Sequence, residues 1–341
     1  MAGVDTHGET HHGAVIDEIG RELADAEFPA TPAGYRKLVA WLTRHGQLQK
    51  VGVEGTGAYG AGLARHLRSM GVTVVEVDRP DRKTRRTKGK SDPLDAYAAA
   101  RAALNGTATG TPKSRDGLVE AIRTARMARR GAVKARTQAM NQLRGLLVTL
   151  PADLREQLRH LSATALIETC ARLRSGLIGD ALTASPDPVL ATAKATLRRL
   201  AHRQQLSEEI REHDADLVPL VAAAAPKLLL VQGVGIEVAG QLLATAGDNP
   251  DRLASEASFA HLCGVAPIPA SSGRIRRHRL NRGGDRAANN VLYTIVLTRL
   301  RYDPRTRANF ERRTKEALSK REIIRCLKRY VLREVYVVLT A

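Results

Sequence analysis

Four acidic residues carry the chemistry that this sequence suggests. Asp5 follows Ala-Gly-Val, Glu54 follows Val-Gly-Val, and Asp92 and Asp95 stand three apart in Lys-Ser-Asp-Pro-Leu-Asp-Ala. The first two end strand-like runs, and the other two open a helix-like run, where residues three apart share a face. If the strands pair, their ends bring the carboxylates to one sheet edge. Carboxylate oxygens suit Mg²⁺ or Mn²⁺, and two such ions can bracket a scissile phosphate.

Each acid also has a simpler interpretation. Asp92 could only complement the positive end of a helix dipole, and Asp5 could be a solvated terminal acid. The placement of all four at element ends favours the metal site. His7, His11 and His12 lack cysteine partners and a rigid helical frame, so we interpret them as solvated rather than as zinc ligands, although His7 could lie near the metal site.

The charge of the chain indicates a polyanionic partner. Among 341 residues, 54 Lys and Arg outnumber 35 Asp and Glu, for a formal net charge of +19. The basic residues cluster, which favours nucleic acid over the alternative of a merely Arg-rich genome. Aromatic residues make up 3%, so base stacking is expected to contribute little.

Cysteine usage and hydropathy indicate in which cellular compartment the protein is expected to work. Three scattered cysteines predict neither a disulfide framework nor a cysteine-based zinc site. There is no signal-peptide pattern and no apolar run of membrane-spanning length, so we expect no membrane partner. The expected location is a reducing cytoplasm, in association with the nucleoid.

Residues 1–110 are predicted to form an α/β domain. The patterns predict strands at 11–16, 50–53 and 72–77 and helices at 32–44, 59–70 and 91–104. The order β-β-α-β-α-β-α is compatible with a ribonuclease-H-like fold. Because only residues 2–4 precede Asp5 in its short strand, we expect the natural start to lie upstream.

Residues 111–224 are predicted to form a long helical or coiled-coil arm. A turn-rich linker at 105–112 precedes it, and apolar residues recur at helical spacing over 115–149 and 187–223. A plain helical subdomain is an equally good interpretation. The first segment is rich in basic residues, and the predicted nucleic-acid contacts there are Arg126, Arg130 and Lys134.

Residues 225–341 are predicted to form a mainly α-helical C-terminal domain. Its Gly233-Val234-Gly235 turn precedes a helix expected at 237–245 and indicates a helix–hairpin–helix. Such a turn presents backbone N–H groups to a phosphate, which makes Gly233 and Gly235 candidate contacts. An ordinary helical hairpin is the alternative.

A second chemical constellation lies at 267–286. A Ser271-Ser272-Gly273 turn is followed by arginines that suit phosphate. A serine in this setting could attack phosphorus if a base or metal activates it, although a turn serine usually has no such role. The predicted nucleic-acid contacts are Arg274, Arg276, Arg277, Arg279 and Arg282.

The ordered motifs resemble a known family. They are Asp-Thr-His at 5–7, Val-Glu-Gly-Thr-Gly at 53–57, Lys-Ser-Asp-Pro-Leu-Asp-Ala at 90–96, Gly-Val-Gly at 233–235, Cys-Gly-Val-Ala-Pro-Ile-Pro-Ala-Ser-Ser-Gly at 263–273 and Asn-Arg-Gly-Gly-Asp at 281–285. Together they resemble the DEDD insertion-sequence transposases of the bridge-RNA-guided, serine-dependent recombinase group. The resemblance spans nearly the whole chain.

The resemblance implies a fold and a set of roles. It implies a Holliday-junction-resolvase-like N-terminal domain in which Asp5, Glu54, Asp92 and Asp95 hold Mg²⁺, followed by a coiled-coil arm and a transposase domain. It implies a serine that forms a covalent link to DNA. The family places one serine before glycine and this chain has two, so Ser272 is our choice and Ser271 the alternate.

The resemblance also implies partners. Acids of one protomer would work with the serine of another, which predicts a homodimer or homotetramer, and a structured guide RNA would specify the DNA. Our interpretation is therefore a DNA recombinase that moves its own element. A junction-specific nuclease that uses water is the rival enzyme, although it needs neither the serine loop nor the arm. A non-catalytic nucleic-acid binder is the third interpretation, and it leaves the acids unexplained.

Overall fold

The N-terminal part of the protein is built on one five-stranded sheet. The computed structural model describes residues 1–77, 91–174, 179–182, 184–272 and 278–341. Strand order is β3-β2-β1-β4-β5, with β1–β2–β3 antiparallel and β4 and β5 parallel to β1. The strands are β1 Ala2–Thr6, β2 Thr10–Ile16, β3 Glu22–Pro29, β4 Lys50–Glu54 and β5 Thr73–Val77.

Helices cover both faces of this sheet. Helices α1 Pro32–Arg44 and α2 Ala61–Ser69 share one apolar core with Val4 and Val53. Helix α3 Asp92–Leu104 lies on the opposite face, where its Ala96 and Ala100 pack with the β2 side chains. Val4 and Val53 therefore point towards α1 and α2, while their neighbours in each strand point towards α3.

The start of α1 follows from its sequence. Thr31 is the N-cap, and its side chain accepts a hydrogen bond from the Gly34 N–H, with Pro32 at the first helical position. The predicted helix over 32–44 is confirmed. Strand β3 was not predicted. It is an edge strand of mostly exposed residues that include several acids, so it lacks the apolar alternation that marks a half-buried strand.

The chain divides into two compact units. The first contains residues 1–120, 230–234 and 241–341, and the second contains 121–229 and 235–240. The three domains drawn from the sequence, 1–110, 111–224 and 225–341, stay a prediction.

The second unit is helical. Its helices are α4 Leu118–Leu147, whose first residues belong to the first unit, α5 Ala152–Leu158, α6 Ala163–Arg172, α7 Pro188–His202 and α8 Leu206–Ala224. Leucines of α4, α5, α6 and α7, with Cys170, form its core. The segment 187–223, in which apolar residues recur at helical spacing, forms α7 and α8 with a short 3-10 turn at Arg203–Gln205 between them. Pairing of this unit as a coiled coil with a second chain stays a prediction.

Helices dominate the C-terminal part of the chain. They are α9 Ile236–Ala246, α10 Glu256–Leu262, α11 Arg286–Tyr302, α12 Pro304–Lys315 and α13 Lys320–Thr340. Between α10 and α11, strand β6 Ile268–Pro269 pairs with β7 His278–Arg279. The prediction of a mixed α/β N-terminal part and a mainly helical C-terminal part is confirmed. The finer ribonuclease-H-like and helix–hairpin–helix assignments stay predictions.

None of the helices in the described ranges is both long enough and apolar enough to cross a membrane.

Candidate active site

Two strands of the sheet repeat the same three-residue pattern, Gly-Val-acid. Strands β1 and β4 run parallel with Gly3 beside Gly52 and Val4 beside Val53. The next residues, Asp5 and Glu54, directly follow the last pair of this ladder. Side chains two residues apart share a face, so both acids lie on the face of the two glycines.

The glycines bring helix α3 against the strands. A Cβ on Gly3 would lie 2.2 Å from the backbone of Ala96 and Ala100, and one on Gly52 would lie 2.4 Å from the Ala99 carbonyl oxygen. Only glycine allows so close an approach. Since α3 crosses the strands at this contact, the start of the helix is set near the ends of β1 and β4.

The first turn of α3 carries the other two acids. Ser91 has extended backbone at the N-cap position, and Asp92 and Asp95 follow in the first turn. Asp95 is buried, whereas the Asp92 side chain is 42% exposed. Both positions favour negative charge because the helix start carries partial positive charge.

Three side chains converge where β1 ends and α3 begins. Ligand atoms of Asp5, His7 and Asp92 all lie within 4.8 Å of one another. The His7 Nε2 atom is 3.1 Å from Asp5 Oδ2 and 3.3 Å from Asp92 Oδ1. The structure thus brings two of the four predicted acids together. Glu54 ends the strand beside Asp5, and Asp95 lies one turn beyond Asp92 on α3.

The chemistry of this cluster fits a divalent cation. The Asp5 side chain is only 7% exposed, and burial of a carboxylate costs free energy unless a partner neutralises it. In the part of the chain that the structure describes, Asp5 pairs with His7 and with no lysine or arginine. Two carboxylates converging on one point are the ligands that Mg²⁺ or Mn²⁺ takes.

The interpretation of His11 and His12 as solvated side chains was wrong, whereas His7 lies beside the acids, as the sequence analysis allowed. His7 joins the acid cluster, and His12 Nε2 lies 2.7 Å from Asp25 Oδ2. His11 is fully buried in a stack on the Tyr35 ring, and burial lowers its pKa. The two-residue step from Asp5 to His7 was the available signal, because it keeps both side chains on one face.

The serine loop belongs to the C-terminal segment of the first unit. Ser271 and Ser272 are exposed, and Ala270 separates them from the end of β6. The predicted contacts Arg274, Arg276 and Arg277 fall outside the described residues. Arg279 and Arg282, on the far side of the loop, are exposed.

The Asn-Arg-Gly-Gly-Asp motif fixes the base of this loop. A Cβ on Gly284 would lie 2.2 Å from the Gly264 nitrogen, so the two glycines hold two backbones in close contact. Asn281 Nδ2 donates to the His261 carbonyl oxygen at 3.1 Å. Asp285 caps α11 and accepts a hydrogen bond from the Thr245 hydroxyl at 2.8 Å. These contacts connect the two segments that flank the loop.

The predicted basic contacts on α4 divide into two kinds. Arg130 and Lys134 are exposed and available to a phosphate. Arg126 is buried, and its Nη2 donates to Glu237 Oε1 at 2.7 Å. The structure therefore favours Arg130 and Lys134 over Arg126 as nucleic-acid contacts, because the Arg126 guanidinium is already paired within the protein. Sequence spacing alone could not distinguish these faces of the helix.

The Gly-Val-Gly turn leads into α9. Gly233 has a φ of +87° and packs against Ile295 of α11, while Gly235 is exposed. A positive φ explains glycine at 233 without reference to a ligand. Their role as phosphate contacts stays a prediction.

Comparison with known proteins defines the class of the chain. One family model, described as a transposase and carrying the DEDD and IS110 designations, matches residues 2–151, and a second, described as the transposase IS116/IS110/IS902 family, matches residues 225–311. Transposases are enzymes that process DNA. The two models together cover more than half of the sequence, and this chain belongs to the IS110 family of transposases.

Relatives in two bacteria agree with this assignment. A Streptomyces coelicolor protein named as a putative transposase for the IS117 mini-circle is 26% identical over 362 residues, covering 92% of this chain and 87% of the relative. The 43.6 kDa protein of insertion element IS110 from the same organism is 25% identical over 356 residues, covering 91% and 86%. The 42 kDa protein of IS900 from Mycobacterium paratuberculosis is 28% identical over 113 residues, covering 33% and 28%.

The assignment sets the activity in broad terms. A transposase of this family acts on DNA by cutting and rejoining it, and transposases of the DEDD type typically use a divalent metal ion. The resemblance to insertion-sequence transposases is confirmed.

Proposed function

We propose that the protein is the recombinase of its own insertion sequence. In this proposal Asp5, Glu54, Asp92 and Asp95 hold Mg²⁺ or Mn²⁺, and Ser272 attacks DNA. The observation that carries it is the convergence of Asp5 and Asp92 from β1 and α3 in an enzyme of a DEDD transposase family.

Sheet topology supports a ribonuclease-H-like N-terminal domain. Its central strand β1 has an antiparallel hairpin on one side and parallel strands on the other. The acids stand at the ends of β1 and β4 and in the first turn of α3. A helix–hairpin–helix at 226–246 is part of the proposal, supported by the left-handed Gly233 between a short 3-10 helix and α9.

The carboxylates act by fixing charge and position. A bound divalent cation would polarise the phosphate and favour ionisation of the attacking hydroxyl. Asp5 is held in position by the central strand β1. Asp92 is held by α3, which packs closely against the strands at Gly3 and Gly52. Their rigidity keeps the donor set organised before DNA arrives, which lowers the cost of reaching the transition state.

The serine step conserves phosphodiester bonds. The Ser272 oxygen bonds to phosphorus, one bridging P–O bond of the DNA breaks, and the proton that the serine loses balances the proton that the leaving sugar oxygen gains. One phosphodiester replaces another, so rejoining needs no ATP. Exposure of Ser271 and Ser272 beside β6 supports access by a DNA strand.

The remaining parts of the proposal rest on the sequence motifs. They are a structured guide RNA, assembly as a homodimer or homotetramer, and cooperation of the acids of one protomer with the serine of another. A structured non-coding segment in the DNA beside the gene is the expected source of the RNA, and inspection of that DNA tests this part.

Trapping of the reaction tests the nucleophile. The purified protein is mixed with its element's DNA ends, its flanking RNA and Mg²⁺, then denatured, and protein–DNA adducts are located by mass spectrometry. We expect an adduct with the wild type and with Ser271→Ala, and none with Ser272→Ala.

Other outcomes have defined meanings. An adduct that survives Ser272→Ala and disappears with Ser271→Ala makes the alternate serine the nucleophile. Cleavage by the wild type without any adduct makes water the nucleophile and supports the junction-specific nuclease. Full activity without RNA contradicts RNA guidance.

A further inference from the structure

His7 occupies a position that the four-acid scheme leaves unused. Its Nε2 atom lies between two carboxylates, 3.1 Å from Asp5 Oδ2 and 3.3 Å from Asp92 Oδ1. One nitrogen therefore faces both acids. An Nε2–H group points along one line, so it can make only one well-aligned hydrogen bond. The second carboxylate then lacks a well-aligned hydrogen bond from His7.

The distances match those around a metal ion. Adjacent ligands of an octahedral cation with bonds of about 2.1–2.2 Å lie about 3.0 Å apart. Both separations from His7 are close to this value, and all three donor atoms fall within 4.8 Å of one another. Small movements would place them around one ion.

Burial gives independent support. The Asp5 side chain is 7% exposed, and His7 is the hydrogen-bonding partner that the described part of the structure gives it. Of the 54 lysines and arginines in the chain, none among the described residues forms an ion pair with Asp5 or Asp92. A buried carboxylate without a cationic side chain is the arrangement that a bound cation completes.

The backbone around His7 is fixed rather than free. The Thr6 hydroxyl donates to the Glu54 carbonyl oxygen at 2.8 Å, which joins the ends of β1 and β4. The His7 N–H then donates to the Thr10 carbonyl oxygen at 3.0 Å in the β1–β2 turn. The imidazole is thereby held on the same side as Asp5.

We propose that His7 is a nitrogen ligand of the cation bound by Asp5 and Asp92, so that this position binds Mn²⁺ in preference to Mg²⁺. This proposal rests on the metal centre of the proposed function. It adds His7 as a ligand of the cation and a preference of the site for Mn²⁺. Imidazole suits first-row transition metals, whereas Mg²⁺ takes oxygen donors and keeps its waters. The acids alone would discriminate much less between the two ions.

The test measures metal binding without DNA or RNA, on the full chain. Mn²⁺ is titrated into the wild type, His7→Gln, Asp92→Asn and His160→Gln, and free Mn²⁺ is followed by electron paramagnetic resonance. His160 is an exposed histidine in the second unit and serves as the matched control. Spin-echo modulation reports a nitrogen bound directly to the ion. Circular dichroism checks that each variant is folded.

We expect nitrogen modulation in the wild type and in His160→Gln and none in His7→Gln. Loss of the ligand should weaken Mn²⁺ binding by about tenfold or more. Mg²⁺ binding, measured by competition, should change by about threefold or less, since imidazole is a poor ligand for that ion. Asp92→Asn should weaken the binding of both ions.

The contrary results separate two failures. Mn²⁺ bound by the acids without nitrogen modulation refutes the role of His7 and leaves the metal centre of the proposed function intact. Absence of both Mn²⁺ and Mg²⁺ binding to the wild type contradicts the metal centre itself. If His7→Gln weakens the binding of Mn²⁺ and Mg²⁺ equally, His7 only positions the acids, and the proposed preference for Mn²⁺ is refuted.

Discussion

At the scale of single residues, Asp92 is the acid whose chemical role can be tested with little effect on the fold. Its side chain is 42% exposed and its one partner among the described residues is His7, so little of the fold depends on it. As a first-turn acid it stabilises α3 by roughly 0.3–1 kcal/mol through the helix dipole. A residue with so small a structural contribution can be changed without unfolding the protein.

Replacement of Asp92 by asparagine should therefore act on chemistry. We predict that Asp92→Asn lowers the rate of DNA cleavage by about 100-fold or more, because a cation ligand is removed. The free energy of unfolding should fall by less than about 1 kcal/mol. Cleavage assays and urea unfolding measure the two effects.

The control for this change is Asp153→Asn. Asp153 is an exposed first-turn acid of α5, so it shares the dipole contribution but lies in the second unit. It should lose a similar amount of stability and retain full activity. Equal activity of Asp92→Asn and the wild type would remove Asp92 from the catalytic centre.

At the scale of elements, the Gly-Val-acid repeat positions the site. Gly3 and Gly52 sit side by side on the face towards α3, and the acids follow two residues later on that face. The alanine-rich helix and the two glycines allow a backbone-to-backbone approach that larger residues would prevent. The start of α3, with Asp92, is thereby set over the end of β1.

A methyl group at Gly3 should disturb this packing. In Gly3→Ala the new Cβ would overlap the backbone of Ala96 and Ala100, so α3 must shift. We predict a loss of about 1–3 kcal/mol or more in the free energy of unfolding. Cleavage should fall as well, because Asp92 moves with the helix. Urea unfolding and cleavage assays measure both.

Gly131→Ala is the matched control for Gly3→Ala. Gly131 lies within α4, and no atom lies within 4 Å of the position that an alanine methyl group would take there. Alanine should therefore stabilise the helix by about 0.5–1 kcal/mol. A Gly3→Ala protein as stable and active as the wild type would show that the close contact with α3 does not position the acids.

Some secondary-structure elements could be predicted from the sequence alone. The α1 start was predictable because Thr31 and Pro32 form a local signal, and the ends of β4 and β5 because β-branched residues mark buried strands. The four acids were identified by their positions at the ends of two strand-like runs and at the start of a helix-like run. Local pattern sufficed wherever the structure is set by neighbouring residues.

Tertiary contacts account for what the sequence did not predict. Strand β3 is held by pairing with β2 rather than by an apolar pattern. Arg126 is buried in an ion pair with Glu237, which lies more than a hundred positions away in the sequence. The stack of His11 on Tyr35 likewise joins residues from separate elements. No local pattern records such pairs.

At the scale of the whole molecule, a net charge of +19 governs encounter with nucleic acid. Phosphate contacts release condensed counterions, so affinity falls as salt rises. We predict steep salt dependence for binding to duplex DNA and to structured RNA. A flat response for both would remove the electrostatic basis of the account.

The two kinds of basic residue on α4 sharpen this prediction. Lys134→Gln should reduce the slope of log affinity against log salt by roughly 0.9 for each DNA phosphate that the lysine neutralises in the wild type, because this exposed side chain is available to a phosphate. Arg126→Gln should leave the slope unchanged, since Arg126 is paired with Glu237. Fluorescence anisotropy over a salt series measures both slopes.

If β1, β4 and α3 bring four carboxylates to one cation-binding centre, anomalous diffraction from Mn²⁺-soaked crystals should locate the ion there. We expect an anomalous peak about 2.2 Å from carboxylate oxygens of Asp5 and Asp92. We also expect Glu54 carboxylate oxygens within about 10 Å of Asp92 or Asp95, because direct bonds from shared cations to oxygen are only about 2.1 Å long. No peak at this site, or Glu54 oxygens farther than about 10 Å from both, would contradict a shared cation-binding centre.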